Sequence, residues 1–142
     1  MSIETWKHEF YRVEAYKVSV LSNMEMLRHS IKKWEGLQPE NLARHELKAT
    51  RGGDLYSLGD AHAASPLFNV SSTTCALCEG YKPGKFGCGS CPLSNVRGNV
   101  ACDGTMKEER FSPFRIWIVR SNPMPMLQWL REALKAADKD GK

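Results

Sequence analysis

The chain has 142 residues, 42% of them apolar, and a formal net charge of +4 at neutral pH. That length predicts a single domain, and the apolar fraction permits a core, which excludes a disordered chain. The charge excess is far below that of a dedicated nucleic-acid binder, and no run approaches the roughly 20 apolar residues of a membrane span.

Ile3, Trp6 and Phe10 recur at helical spacing and predict a short helix from Ile3 to about Tyr11. Tyr11 to Val20 alternates and reads as extended, with Tyr11, Val13, Ala15, Tyr16 and Val18 partly buried. Ser22-x-x-Glu25 is a capping box that opens the clearest helix. Met24, Leu27, Ile31 and Trp34 form its apolar stripe, and Gly36 reads as a left-handed C-terminal stop. Pro39 opens a shorter helix through about Leu47, with Leu42 and Leu47 inward, folded back or turned sharply on the first. Arg28 and Lys32 lie one turn apart beside the stripe, and Lys33, Arg44, His45, Lys48 and Arg51 extend a basic region. It reads as a phosphate-contacting face or as a solvated surface; the interleaved Glu25, Glu35, Glu40 and Glu46 favour the second.

Arg51-Gly-Gly-Asp54 is a turn, and Leu55-Tyr-Ser-Leu58 and Leu67-Phe-Asn-Val70 are short strand candidates. Between them lie Asp60 and His62, an acid–base or metal pair in a hydrolase reading that no companion motif supports.

All five cysteines fall between Cys75 and Cys102. Cys75-Ala-Leu-Cys78 and Cys88-Gly-Ser-Cys91 are two CxxC pairs separated by nine residues. Each pair lets two thiolates converge on one ion from a tight turn, and two turns complete a tetrahedron. Zinc, with no ligand-field preference, accepts that geometry at about 2.3 Å. Cys75, Cys78, Cys88 and Cys91 are therefore the expected ligands of a structural Zn2+. Cys102 either replaces one of them or stands beside the site as a free thiol. His62 is a further candidate, although a lone histidine so far from a cluster is more often a surface residue. A disulfide framework requires an oxidising compartment, whereas five is an odd number and no apolar signal segment opens the chain, so a reducing cytosol is expected. Redox CxxC motifs usually occur singly and in a βαβ context. Tyr81-Lys-Pro-Gly-Lys-Phe-Gly87 links the knuckles through a Pro-Gly turn, and Pro92 suits the start of a short helix.

After Cys102, Ser112-Pro113 resembles an N-cap followed by proline at the first helical position. The apolar run Phe114, Ile116, Trp117, Ile118 and Val119 reads as helical, although its branched residues would also suit a strand. Asn122-Pro123 starts the closing helix, with Met126, Leu127, Leu130, Leu134 and Ala137 inward. Neither that stripe nor the one on the capped helix can stand alone in water, so the two should pack together. The expected fold is α+β: a small mixed domain of packed helices with a zinc-knuckle or zinc-ribbon-like Cys-rich module. One domain would cover residues 1–142, with 71–104 as its zinc-binding subregion.

Several of these pieces resemble a recurrent set of small cysteine-motif (paired CxxC) proteins of tailed bacteriophages and prophages. They are Leu27-Arg-His-Ser-Ile-Lys-Lys-Trp-Glu-Gly-Leu-Gln-Pro-Glu-Asn-Leu42, Cys75-Ala-Leu-Cys-Glu-Gly-Tyr81, Cys88-Gly-Ser-Cys-Pro-Leu93, Gly98-Asn-Val-Ala-Cys102 and Asn122-Pro-Met-Pro-Met126. In that set a Pro-aromatic pair follows the last cysteine closely; here Ser112-Pro113-Phe114 comes later. The resemblance implies a viral accessory protein in the bacterial host cytoplasm and carries no activity with it.

Three functions compete. A binding module would use the zinc structurally and engage a host or phage protein, with inhibition of a host enzyme or defence system implied by the resemblance. Nucleic acid is a less favoured partner: Tyr81 and Phe86 beside Lys82 and Lys85 could stack bases and neutralise phosphates, or the aromatics could cover the metal. A metal-dependent nuclease on a zinc-ribbon scaffold would need a histidine base. Only His8, His29, His45 and His62 are available, none in an Asp-His or His-Asn-His pattern. A thiol switch would use Cys102. No membrane role is expected.

Overall fold

The computed structural model describes residues 3–18, 21–49, 54–58, 66–70, 105–106, 110–111 and 113–139. The first helix, α1 (Ile3–Phe10), buries Ile3, Trp6 and Phe10, one face at intervals of three and four. A single further turn follows, α2 (Ala15–Val18). The extended reading of this stretch is corrected here. Tyr11, Ala15 and Val18 are buried, whereas Val13 and Tyr16 are exposed. The decisive contact is local. The Tyr11 hydroxyl accepts the Ala15 N–H at 3.0 Å and donates to Glu14 at 3.3 Å, capping the turn from outside.

Helix α3 (Asn23–Gly36) begins as the capping box requires, with Ser22 Oγ accepting the Glu25 N–H at 3.2 Å. The Glu25 carboxylate meets Arg28 at 2.9 Å. The buried set is Met26, Leu27, Ser30, Lys33 and Trp34, with Ile31 partly buried, so the inward face is broader than the expected stripe and turned from it. The cause is that α3 has neighbours on two sides, α1 and α2 on one and the closing helix on the other. Gly36 is not a left-handed stop. It is the last helical residue, and Leu37 caps the helix at φ −85° and ψ −2°. Its requirement for glycine is steric: a Cβ there would lie 2.4 Å from Phe10 Cγ. Trp6 Nε1–H donates to the Gly36 carbonyl at 2.8 Å across the same close approach.

Pro39 occupies the first turn of α4 (Pro39–Arg44), and Asn41 Nδ2 donates to the Glu35 carbonyl at 2.8 Å, satisfying an end group of α3. The helix stops before Leu47 because Glu46 adopts φ 59°, a left-handed conformation that ends it. Leu47, though buried as expected, opens strand β1 (Leu47–Ala49), antiparallel to β2 (Leu55–Ser57) with Leu47 opposite Ser57. The candidate strand at 67–70 supplies only a bridge, Phe68 to Leu55. A second two-stranded sheet pairs β3 (Thr105–Met106) with β4 (Arg110–Phe111). Proline opens α5 (Pro113–Arg120), Ser121 turns the chain at φ 53°, and Asn122 Oδ1 accepts the Met124 N–H at 3.1 Å to start α6 (Met124–Lys139).

The core lies where α3 meets α6. Leu27 and Trp34 join Met126, Leu127, Trp129, Leu130 and Ala133 there, with Ile31, Leu134 and Ala137 partly buried. Trp34 meets Trp117 of α5 edge-on, ring centroids 5.4 Å apart, and Trp6 meets Phe68 at 5.0 Å. The result is a small mixed α+β domain, mostly helical among the described residues, with two two-stranded sheets. Among the described residues no helix is long and apolar enough to cross a membrane.

Candidate functional site

Polar chemistry among the described residues concentrates on the outward side of α1. Thr5 and Glu9 lie one turn apart on that helix, and the end of α4 sets Arg44 and His45 against them. Arg44 grips Glu9 with both terminal nitrogens, each 2.9 Å from a different carboxylate oxygen. His45, almost wholly buried, lies 2.7 Å from Glu9 through Nε2 and 2.9 Å from the Thr5 hydroxyl through Nδ1. A carboxylate only accepts, so His45 Nε2 carries a proton and donates it to Glu9, while Nδ1 shares a hydrogen bond with the Thr5 hydroxyl. The Arg44 hydrogen bonds, followed by that of His45, hold the Glu9 carboxyl at about 2, below its ordinary 4.5; Glu9 in turn raises the Arg44 guanidinium. A hydroxyl–imidazole–carboxylate array has the connectivity of a proton relay. The two Arg44 contacts and the His45 contact all converge on Glu9, so the array clamps the end of α4 to α1.

Beside the clamp, α1, α2 and α3 enclose an open cleft of about 970 Å³. His29 of α3 closes one part of it. Its Nε2–H donates to the Val13 carbonyl at 2.5 Å, and its ring meets Tyr11 edge-on at 5.0 Å. Burial pushes the His29 imidazole below its usual 6.5, against the upward pull of the Val13 carbonyl, and the charge of Lys33 lowers it further. The His29 Nδ1 atom is buried and has no hydrogen-bond partner among the described residues. Arg12 donates to His8 Nε2 at 3.0 Å on the cleft's α1 side.

Cys75, Cys78, Cys88, Cys91 and Cys102 lie outside the described residues, as do Asp60, His62, Tyr81, Lys82, Lys85 and Phe86. Among the described residues no group of three or more His, Cys, Asp or Glu side chains could hold a metal ion. The basic residues divide. Arg28, Lys32 and Arg44 line the cleft, Lys48 sits on β1, and Lys33 is buried with its ammonium 5.5 Å from the Trp34 ring. Sequence reasoning missed Glu9 and Arg12. The signal for Arg12 was its i,i+4 spacing from His8, hidden by reading residues 11–20 as extended. No family model, curated protein or solved structure matches the chain.

Proposed function

We propose that the chain is a zinc-stabilised binding module, a phage accessory protein that engages a host or phage protein in the bacterial cytoplasm. The observation that carries this reading is the pairing of Cys75-x-x-Cys78 with Cys88-x-x-Cys91. Four thiolates close the coordination sphere of one zinc and leave no open position of the catalytic kind. Residues 71–104 are poor in large apolar side chains, so the metal supplies what a core would. The zinc-knuckle module would then be the recognition element, and inhibition of a host enzyme or defence system follows from the phage resemblance.

The commitments of the histidines favour recognition over the nuclease alternative. His8 accepts from Arg12, His29 donates to Val13, and His45 is held between Thr5 and Glu9. Each of these rings has a contact within the protein, and His62 lies outside the described residues.

Metal analysis of reduced, chelator-free protein should give one zinc per chain, and a value well below one equivalent rejects the reading. Affinity capture from bacterial lysate under reducing conditions should recover a protein partner from the zinc-loaded chain and not from the zinc-stripped one. Plasmid nicking with magnesium or manganese, abolished in His62→Ala, would instead establish the nuclease.

A further inference from the structure

We propose that the cleft between α1, α2 and α3 binds the phosphate group of a small phosphorylated organic molecule, with Arg12 and Lys32 as the residues that hold it. The charge balance of the cleft carries the argument. Its described lining includes four cations, Arg12, Arg28, Lys32 and Arg44, and two carboxylates, Glu9 and Glu25. Both carboxylates are already spent inside the cleft, Glu9 on Arg44 and Glu25 on Arg28, each at 2.9 Å. Arg12 and Lys32 therefore meet no carboxylate among the described residues. Two cations in one concavity with no carboxylate partner among the described residues raise the local positive potential and so favour anions.

Both cations are also positioned. Lys32 Nζ lies 5.9 Å from the centroid of the Phe10 ring, and the Arg44 guanidinium carbon lies 5.9 Å from the same centroid. The ring attracts both charges. Arg12 uses one nitrogen on His8 and keeps the rest of its planar fork, which matches two phosphate oxygens.

The remainder of the lining decides between inorganic phosphate and an organic ester. Val13 and Leu21 border the same cleft and are 43% and 56% exposed. The cleft is open and spans about 970 Å³, more room than one phosphate fills. A ligand with a phosphate at one end and a less polar body at the other fits both parts. This inference is independent of the zinc knuckles and of the protein partner.

The test is calorimetric titration of the full chain with inorganic pyrophosphate and with ADP at low salt. Saturable one-to-one binding is expected for both, tighter for ADP, and weakening as salt rises. Arg12→Gln and Lys32→Gln should each weaken binding about tenfold, the loss of one charge-assisted contact. Lys17→Gln, an exposed cation away from the cleft, should leave affinity unchanged. Arg12 is exposed and buries no apolar surface in the core, so Arg12→Gln decides the matter even if Lys32→Gln melts early. Absence of saturation by about 1 mM ligand overturns the proposal, as does an equal loss in Lys17→Gln. Binding to phosphatidylglycerol vesicles without binding to ADP also overturns it, in favour of a lipid surface.

Discussion

In the helical layer, Trp6, Trp34, Trp117 and Trp129 are each at most 1% exposed and lie within one hydrophobic cluster. The stretch from residue 71 to 104 contains no tryptophan and all five cysteines of the chain. One region holds together through apolar area and edge-on aromatic contacts, which depend on neither pH nor metal. On the zinc reading proposed above, the other draws its free energy of folding from ligand bonds. The two should therefore fail under different insults.

Cys78→Ser separates them most sharply. Removal of one thiolate should raise amide exchange throughout residues 71–104 while α3 stays protected. If exchange in that stretch is unchanged, metal does not organise it. The converse experiment strikes the helical layer. Leu130 is fully buried where α6 meets α3, and Leu130→Ala should cost about 2–5 kcal/mol in denaturant unfolding without altering zinc content. A loss below about 0.5 kcal/mol would place this face on the surface instead.

The helical layer was legible where a signal is local. Ser22 and Asn122 each accept a backbone N–H at the start of a long helix, and both starts can be read from a few adjacent residues. The pairing of Leu27 and Trp34 with Leu127 and Leu130 was legible too, since two apolar stripes needed a partner. Glu46 and Ser121 were not. Nothing in an acidic or hydroxyl side chain announces φ values of 59° and 53°. The cleft was illegible for a related reason. Arg12 and Lys32 become neighbours of one cavity only after α1 docks on α3, and the turn at α2 that shapes it depends on the Tyr11 hydroxyl. For the cysteines the spacing is the whole of the argument.

The smallest effect distinguishes the polar clamp from both regions. Glu9 is held at about 2 against an ordinary 4.5, so its contribution to stability is complete above about 4.5 and disappears as pH falls toward 2. His29 is kept neutral below its usual 6.5; its contribution is complete above that value and declines as pH falls through it. The melting temperature of the helical layer should accordingly fall in two modest stages on acidification. In Glu9→Gln the lower stage should flatten while the upper persists; if the profile is identical to that of the parent, the clamp contributes nothing.

The contact of Phe10 with Gly36 restricts how this chain can diverge. A side chain at 36 is admissible only if the ring at 10 shrinks or withdraws, and the same withdrawal would disturb Lys32 and Arg44, which lie over that ring. Drift at a helix end is thereby coupled to the charge arrangement of the cleft. Positions 10 and 36 should change together among descendants of this sequence, and lineages that replace Phe10 should lose the disposition of Lys32 as a by-product.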